Sequence, residues 1–135
     1  AKQAADLQSN ELSQRVVHRF LCDNDVEAHI RRIRAIYKTQ RDAMLRLARE
    51  LFPPEVSCTA PEGGMFAWMT LPEGVSAFDF FGRARERHVT FVPGQAFFAN
   101  GGGENTLRLN FSNADVATID EGMRRLARVY GEMRS

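Results

Sequence analysis

Residues Thr106-Leu107-Arg108-Leu109-Asn110-Phe111 alternate polar and apolar without a break, between the Gly101-Gly102-Gly103 loop and a helical pattern that starts near Val116. Strict period-two alternation describes a strand with one apolar face. Leu107, Leu109 and Phe111 must pack on a local core, so Arg108 and Asn110 point to the opposite side of the sheet. A guanidinium is a planar, permanently charged fork of five donors, suited to bidentate capture of a carboxylate. Pattern alone leaves two readings of Arg108: a carboxylate ligand, or an ordinary solvated or salt-bridged strand arginine.

The rest of the chain supplies the other layer. Residues from about Lys2 to Leu21 have helical composition, with Ala4, Leu7, Leu12, Val16 and Phe20 as a stripe and a break or bend expected near Ser9-Asn10. Asp23-Asn24-Asp25 offers caps for a second helix, in which Val26, Ile30, Ile33, Tyr37, Gln40, Met44, Leu47 and Leu51 recur at intervals of four and three. Pro53-Pro54 ends it. Short extended pieces follow at Val56–Thr59, Met65–Leu71 and Val89–Val92. Ser76 and Asp79 have capping-box spacing ahead of a short helix. Ser112 and Asp115 repeat that spacing before a last helix with the stripe Val116, Ile119, Met123, Leu126 and Tyr130. Short strands among unequal helices predict an α+β domain: a small, mostly antiparallel sheet with helices packed on one face.

A length of 135 residues fits one domain. The formal net charge of +1 argues against a domain built mainly for nucleic acid or anionic membrane. No apolar run approaches eighteen residues and no signal peptide is evident, so a cytoplasmic location is expected. Arginine provides 16 of the 18 basic side chains, leaving Lys2 and Lys38 as the only places for lysine chemistry. Cys22 and Cys58 allow one disulfide but no zinc site. The chain opens on Ala1 in mid-helix pattern and reads as the end of something longer.

Other candidates are weaker. The three glycines at 101–103 precede a strand rather than a helix, so no helix dipole awaits a phosphate and a mobile loop is expected. Gly63-Gly64 reads as a tight turn or as a point where backbone approaches a ligand. Arg31 to Arg34 shares its helix with Glu27, Asp42 and Glu50 and lacks an aromatic platform, which favours a solvated or interfacial face over nucleic acid. His18, His29 and His88 have no metal or triad spacing. Trp68 is expected in the core.

Four stretches in order resemble one family. Ala1-Lys2-Gln3-Ala4-Ala5-Asp6-Leu7 with Leu12-Ser13-Gln14 looks like the helix that follows the cofactor-lysine region of fold-type I pyridoxal-phosphate aminotransferases, of the 2-aminoadipate and kynurenine type. Pro61-Glu62-Gly63-Gly64-Met65-Phe66-Ala67-Trp68 with Leu71-Pro72 resembles the small-domain strand of that group. Phe91-Val92-Pro93-Gly94 with Phe97-Phe98 resembles the next strand and loop, and Asn105 to Ser112 the strand that carries the substrate-carboxylate arginine.

The resemblance implies that Arg108 binds the α-carboxylate of an amino-acid substrate, with amino acids and 2-oxo acids as substrates and pyridoxal 5'-phosphate as cofactor. It implies that residues 1–22 are a helix left over from the large cofactor domain and that 23–135 form the small carboxy-terminal domain. The family's cofactor lysine, phosphate ligands and pyridine-facing aspartate lie upstream of these motifs. No catalytic or cofactor-binding residue is therefore assigned within this chain, and it is expected to be inactive alone. A homodimeric parent is implied, and self-association of the fragment through the uncovered stripe of its first helix is expected. Met65, Phe66 and the phenylalanines after Gly94 hint at larger or apolar substrate side chains. GntR-type transcription regulators carry a similar aminotransferase-like domain as an effector sensor. Nucleic acid becomes a partner only under that alternative.

Overall fold

The computed structural model describes Ala4 and residues 10–134. Helix α1 spans Glu11–Asp23, and the side chain of Asn10 accepts from the Ser13 amide at 3.1 Å to cap it, which accounts for a break at Asn10. Lys2, Leu7 and most of the helix expected before that cap lie outside the described residues. Helix α2 spans Val26–Leu51, with Asp25 accepting from the Ala28 amide at 2.8 Å. The chain divides into two compact units, Ala1–Ala35 and Ile36–Ser135. No side chain of α1 is buried. The sheet and its core belong to the second unit.

That unit continues with β1 (Ser57–Cys58), β2 (Phe66–Thr70), α3 (Ala77–Glu86), β3 (Val92–Pro93), a 3-10 turn (Gly94–Phe97), β4 (Thr106–Asn110) and α4 (Val116–Arg134). The strands lie in the order β1-β2-β4-β3, each neighbouring pair antiparallel. The alternating segment is thus central. Its apolar members Leu107, Leu109 and Phe111 are buried beside Ala67, Met69 and Leu71. Met44 and Leu47 of α2, Phe80 and Ala84 of α3, and Met123, Leu126 and Tyr130 of α4 complete this core. Each large side chain so buried contributes about 1.5–3 kcal/mol, which is what holds three helices to one face. The α+β layer predicted from sequence is the observed fold.

Three local expectations need correcting. The third strand is Val92–Pro93 rather than Val89–Val92, because the preceding residues close α3: the Val89 amide donates to Ala84 O at 3.0 Å and His88 takes the left-handed conformation (φ 58°). Pro93 is tolerated because β3 is an edge strand. Asp115, not Ser112, caps the last helix, accepting from the Thr118 amide at 2.8 Å. The Thr118 side chain, and then its amide, hold the Asp115 carboxyl below the usual carboxylate range. Val116 is consequently exposed, while Val129 joins the buried stripe. Ser76 caps α3 as its spacing predicts, accepting from the Asp79 amide at 3.1 Å.

Candidate functional site

The face of the sheet away from the helices carries Phe66 and Trp68 from β2, Arg108 and Asn110 from β4, and Val92 from β3. The register sets Arg108 directly between Trp68 and Val92 and pairs Phe66 with Asn110. Trp68 is therefore only half-buried and not core: the pleat gives the core to Ala67 and Met69 on either side of it. Thr106, on the Arg108 face by the same alternation, is nevertheless buried. The 3-10 turn covers it, and a Cβ on Gly94 would lie only 2.8 Å from Thr106 Cβ. Glycine at 94 is what allows this turn to press against β4.

The turn delivers Phe97 to Arg108. The guanidinium carbon lies 4.0 Å from the centre of the Phe66 ring and 4.6 Å from that of Phe97. Trp68 meets Phe97 edge-on with centroids 5.5 Å apart and Phe98 at 6.3 Å. Phe98 in turn lies against Gly103, whose positive φ of 73° and missing Cβ make room for the ring. Arg108 Nε is buried with no hydrogen-bond partner among the described residues. Among the described residues no carboxylate pairs with Arg108, although Arg15, Arg19, Arg31, Arg41, Arg46, Arg87, Arg124, Arg125 and Arg134 all form ion pairs. An orphaned donor on a half-buried cation is costly unless an anion completes it.

Arg108, Asn110 and Phe66 also line a cleft of about 770 Å³ that extends between β4 and α4. Asn110 Oδ1 accepts from both the amide and the hydroxyl of Ser112, at 2.7 and 2.8 Å. A backbone N–H can only donate, so this contact fixes which way the amide faces and leaves Nδ2 as the free donor.

The other candidates hold no such arrangement. Gly63 and Gly64 have open space around them and lie in a bend, with Gly64 at φ 76°. Among the described residues no three metal-ligating side chains cluster. Cys22 and Cys58 are free thiols, and burial pushes the Cys58 thiol up to about 11. Lys38 is bound to Asp42 at 2.6 Å, and the adjacent Lys38 and Arg41 hold that carboxyl below its ordinary range. Arg41 also donates to Pro61 O at 3.0 Å. No described helix is long and apolar enough to cross a membrane.

The domain is thus α+β, an antiparallel sheet with helices on one face and, on the other, a ring-flanked arginine that pairs with no acid among the described residues. A family model described as aminotransferase class I and II matches residues 1–126. The chain belongs to this aminotransferase family. It is 50% identical over 128 residues to a 2-aminoadipate transaminase of Thermus thermophilus, covering 95% of this chain and 32% of that protein. A crystal structure of LysN, an α-aminoadipate aminotransferase of that organism complexed with N-(5'-phosphopyridoxyl)-L-leucine, superposes with a TM-score of 0.87 at 47% identity, over 98% of this chain and 34% of that one. The HTH-type transcriptional regulator YjiR of Escherichia coli is 30% identical over 115 residues, covering 84% of this chain and 24% of the regulator. The chain thus spans about a third of the length of the aminotransferases it matches.

Proposed function

We propose that this chain is the carboxy-terminal part of a pyridoxal-phosphate-dependent aminotransferase, and that Arg108 grips the α-carboxylate of its amino-acid and 2-oxo-acid substrates. The observation that carries the reading is the Arg108 guanidinium itself: half-buried, held by rings, lining a cleft, and paired with no acid among the described residues. A fixed carboxylate orients the bond at the substrate Cα, and such orientation lowers a barrier by several kcal/mol. The cofactor supplies the electron sink when bound. Its lysine and phosphate ligands are proposed to belong to the large domain of the parent. The chain alone is therefore proposed to be inactive.

Residues 1–22 are assigned in this reading to the large cofactor domain, and 23–135 to the small domain. Leu12, Val16, Val17, Phe20 and Leu21 of α1 are all more than half exposed, an apolar stripe that the large domain would cover. The parent is proposed to be a cytoplasmic homodimer. Separated from its parent, the chain is expected to self-associate through this stripe. Sedimentation equilibrium showing monomer at every concentration is the contrary result.

In the full-length protein, Arg108→Ala is expected to reduce kcat/KM by about 2–5 kcal/mol in transition-state terms, as removal of a buried charge partner does. Unchanged kcat/KM would take Arg108 out of the site. The similarity to a regulator favours one second reading, an effector-sensing domain of a GntR-type protein, in which the same arginine binds the effector. A basic helix-turn-helix at the amino terminus of the parent, with operator binding modulated by an amino acid, distinguishes it.

A further inference from the structure

Arg108 presents a physical problem that the carboxylate reading leaves unsolved. A mobile guanidinium with no acid beside it gains most by swinging into water, yet this one is drawn in far enough to bury Nε. The rings of Phe66 and Phe97 lie 4.0 and 4.6 Å from its central carbon and make no ring contact with each other, so the guanidinium lies between them. We infer that Phe66 and Phe97 are positioning residues for substrate carboxylates: they hold the Arg108 fork through their ring faces without neutralising it. This deepens the proposed function and rests on it.

The chemistry suits the task. The faces of aromatic rings attract a cation through their quadrupole, while contributing no acceptor that competes with an incoming anion. An acid in their place would hold the arginine equally well and would then have to be displaced. Since ring faces accept none of its N–H groups, the guanidinium keeps its fork for an acceptor, and a bidentate carboxylate can take two of those donors. Phe66 is placed by β2, diagonally from Arg108 in the β2–β4 register. Phe97 is placed by the 3-10 turn, which Gly94 seats on Thr106 and Trp68 supports edge-on. Phe66 is 38% and Phe97 46% exposed, so neither ring is part of the core and both are spared for this contact.

The test uses the full-length holoenzyme and two probes without an amine, hexanoate and its neutral analogue hexanamide, with affinities read by calorimetry. Phe97→Leu removes the quadrupole while keeping apolar bulk. It is expected to weaken hexanoate about tenfold (about 1.4 kcal/mol, within the range of a desolvated cation–π contact) and to leave hexanamide unchanged. Phe97→Tyr, which keeps a π face, is expected to restore hexanoate affinity. Phe66→Leu is expected to behave as Phe97→Leu does, and serves in its place should the latter not fold. Hexanoate affinity within twofold of wild type in the leucine variants, with Arg108→Ala abolishing it, overturns the clamp and leaves the carboxylate reading standing. Equal weakening of both probes also overturns the clamp, since that is loss of packing alone. If Arg108→Ala itself leaves hexanoate binding intact, the carboxylate reading fails and the clamp with it.

Discussion

Gly94→Ala isolates the contact on which the Phe97 side of the site depends. A Cβ at 94 would overlap the Thr106 hydroxyl and stand 2.8 Å from its Cβ and 2.9 Å from its backbone oxygen. Thr106 is not free to turn away, because it is buried and its hydroxyl donates to Gly103 O at 2.8 Å. Forcing an extra carbon into such a contact costs about 1–3 kcal/mol. Losing the Thr106 hydrogen bond adds about 1 kcal/mol. Replacing glycine returns about 0.4–1 kcal/mol by restricting the unfolded chain. The net expectation is a loss of about 1–3 kcal/mol in urea unfolding followed by circular dichroism. Trp68 is the sole tryptophan and touches both Phe97 and Phe98, so its emission should shift in the folded variant as the turn lifts. Thr106→Ala should cost less in the Gly94→Ala background than in wild type, by about 1 kcal/mol of coupling. Stability within about 0.5 kcal/mol of wild type, with unchanged Trp68 emission, would refute the argument that glycine is required there.

Gly103→Ala places a side chain at φ 73° that would overlap Cδ2 and Cε2 of the Phe98 ring; with Phe98 half-exposed and able to move, a loss of about 1–2 kcal/mol with altered Trp68 emission is expected in the same assay. Cys58 gives a pH dependence. Burial raises its thiol from 9.0 to about 11, so between those values the folded chain holds a proton that the unfolded chain releases. The stability this contributes is complete below pH 9 and is lost as pH rises toward 11. Unfolding at pH 8 and pH 10.5 should show that fall in wild type and a smaller one in Cys58→Ala. Equal slopes would contradict it.

What could be read from sequence follows the range of the interaction involved. The strand at 106–111, the α2 stripe and the α3 cap depend on periodicity and spacing within a few residues, and all appear where the pattern puts them. The third strand slipped toward Pro93 because the end of α3, a left-handed His88, takes up Val89; nothing in the strand-forming residues Val89–Val92 signals that. The last helix moved its cap from Ser112 to Asp115 because Ser112 bonds to Asn110, and two side chains with capping chemistry compete at that junction. Trp68 was misassigned for a different reason. Hydrophobicity says that a tryptophan is buried, whereas the pleat says which side it is on, and alternation with Ala67 and Met69 placed it opposite the core. Arg108 was legible as a face and a donor; its ring neighbours were not, since Phe97 arrives from a turn that reads in sequence only as the end of a strand.

That last gap explains how the site can be assembled. A strand fixes an arginine's side of the sheet but not its direction beyond Cβ, because the long side chain keeps its rotamer freedom and loses about 1.5–2 kcal/mol on being ordered. An acid partner would supply that order and simultaneously occupy the fork. Two phenylalanines at 4.0 and 4.6 Å supply it from the faces alone. Phe66 reaches the arginine through sheet register; Phe97 does so only if the chain after Pro93 turns back across β4, and that path passes directly over Thr106. Gly94 and the alternating strand are thus two parts of one device. The strand aims the charge, and the glycine admits the turn whose ring keeps it aimed. Variants at Gly94 should consequently weaken carboxylate binding in the full-length protein in step with the displacement of Trp68 emission, and a Gly94 variant that shifts Trp68 without changing hexanoate affinity would separate the two and break the link.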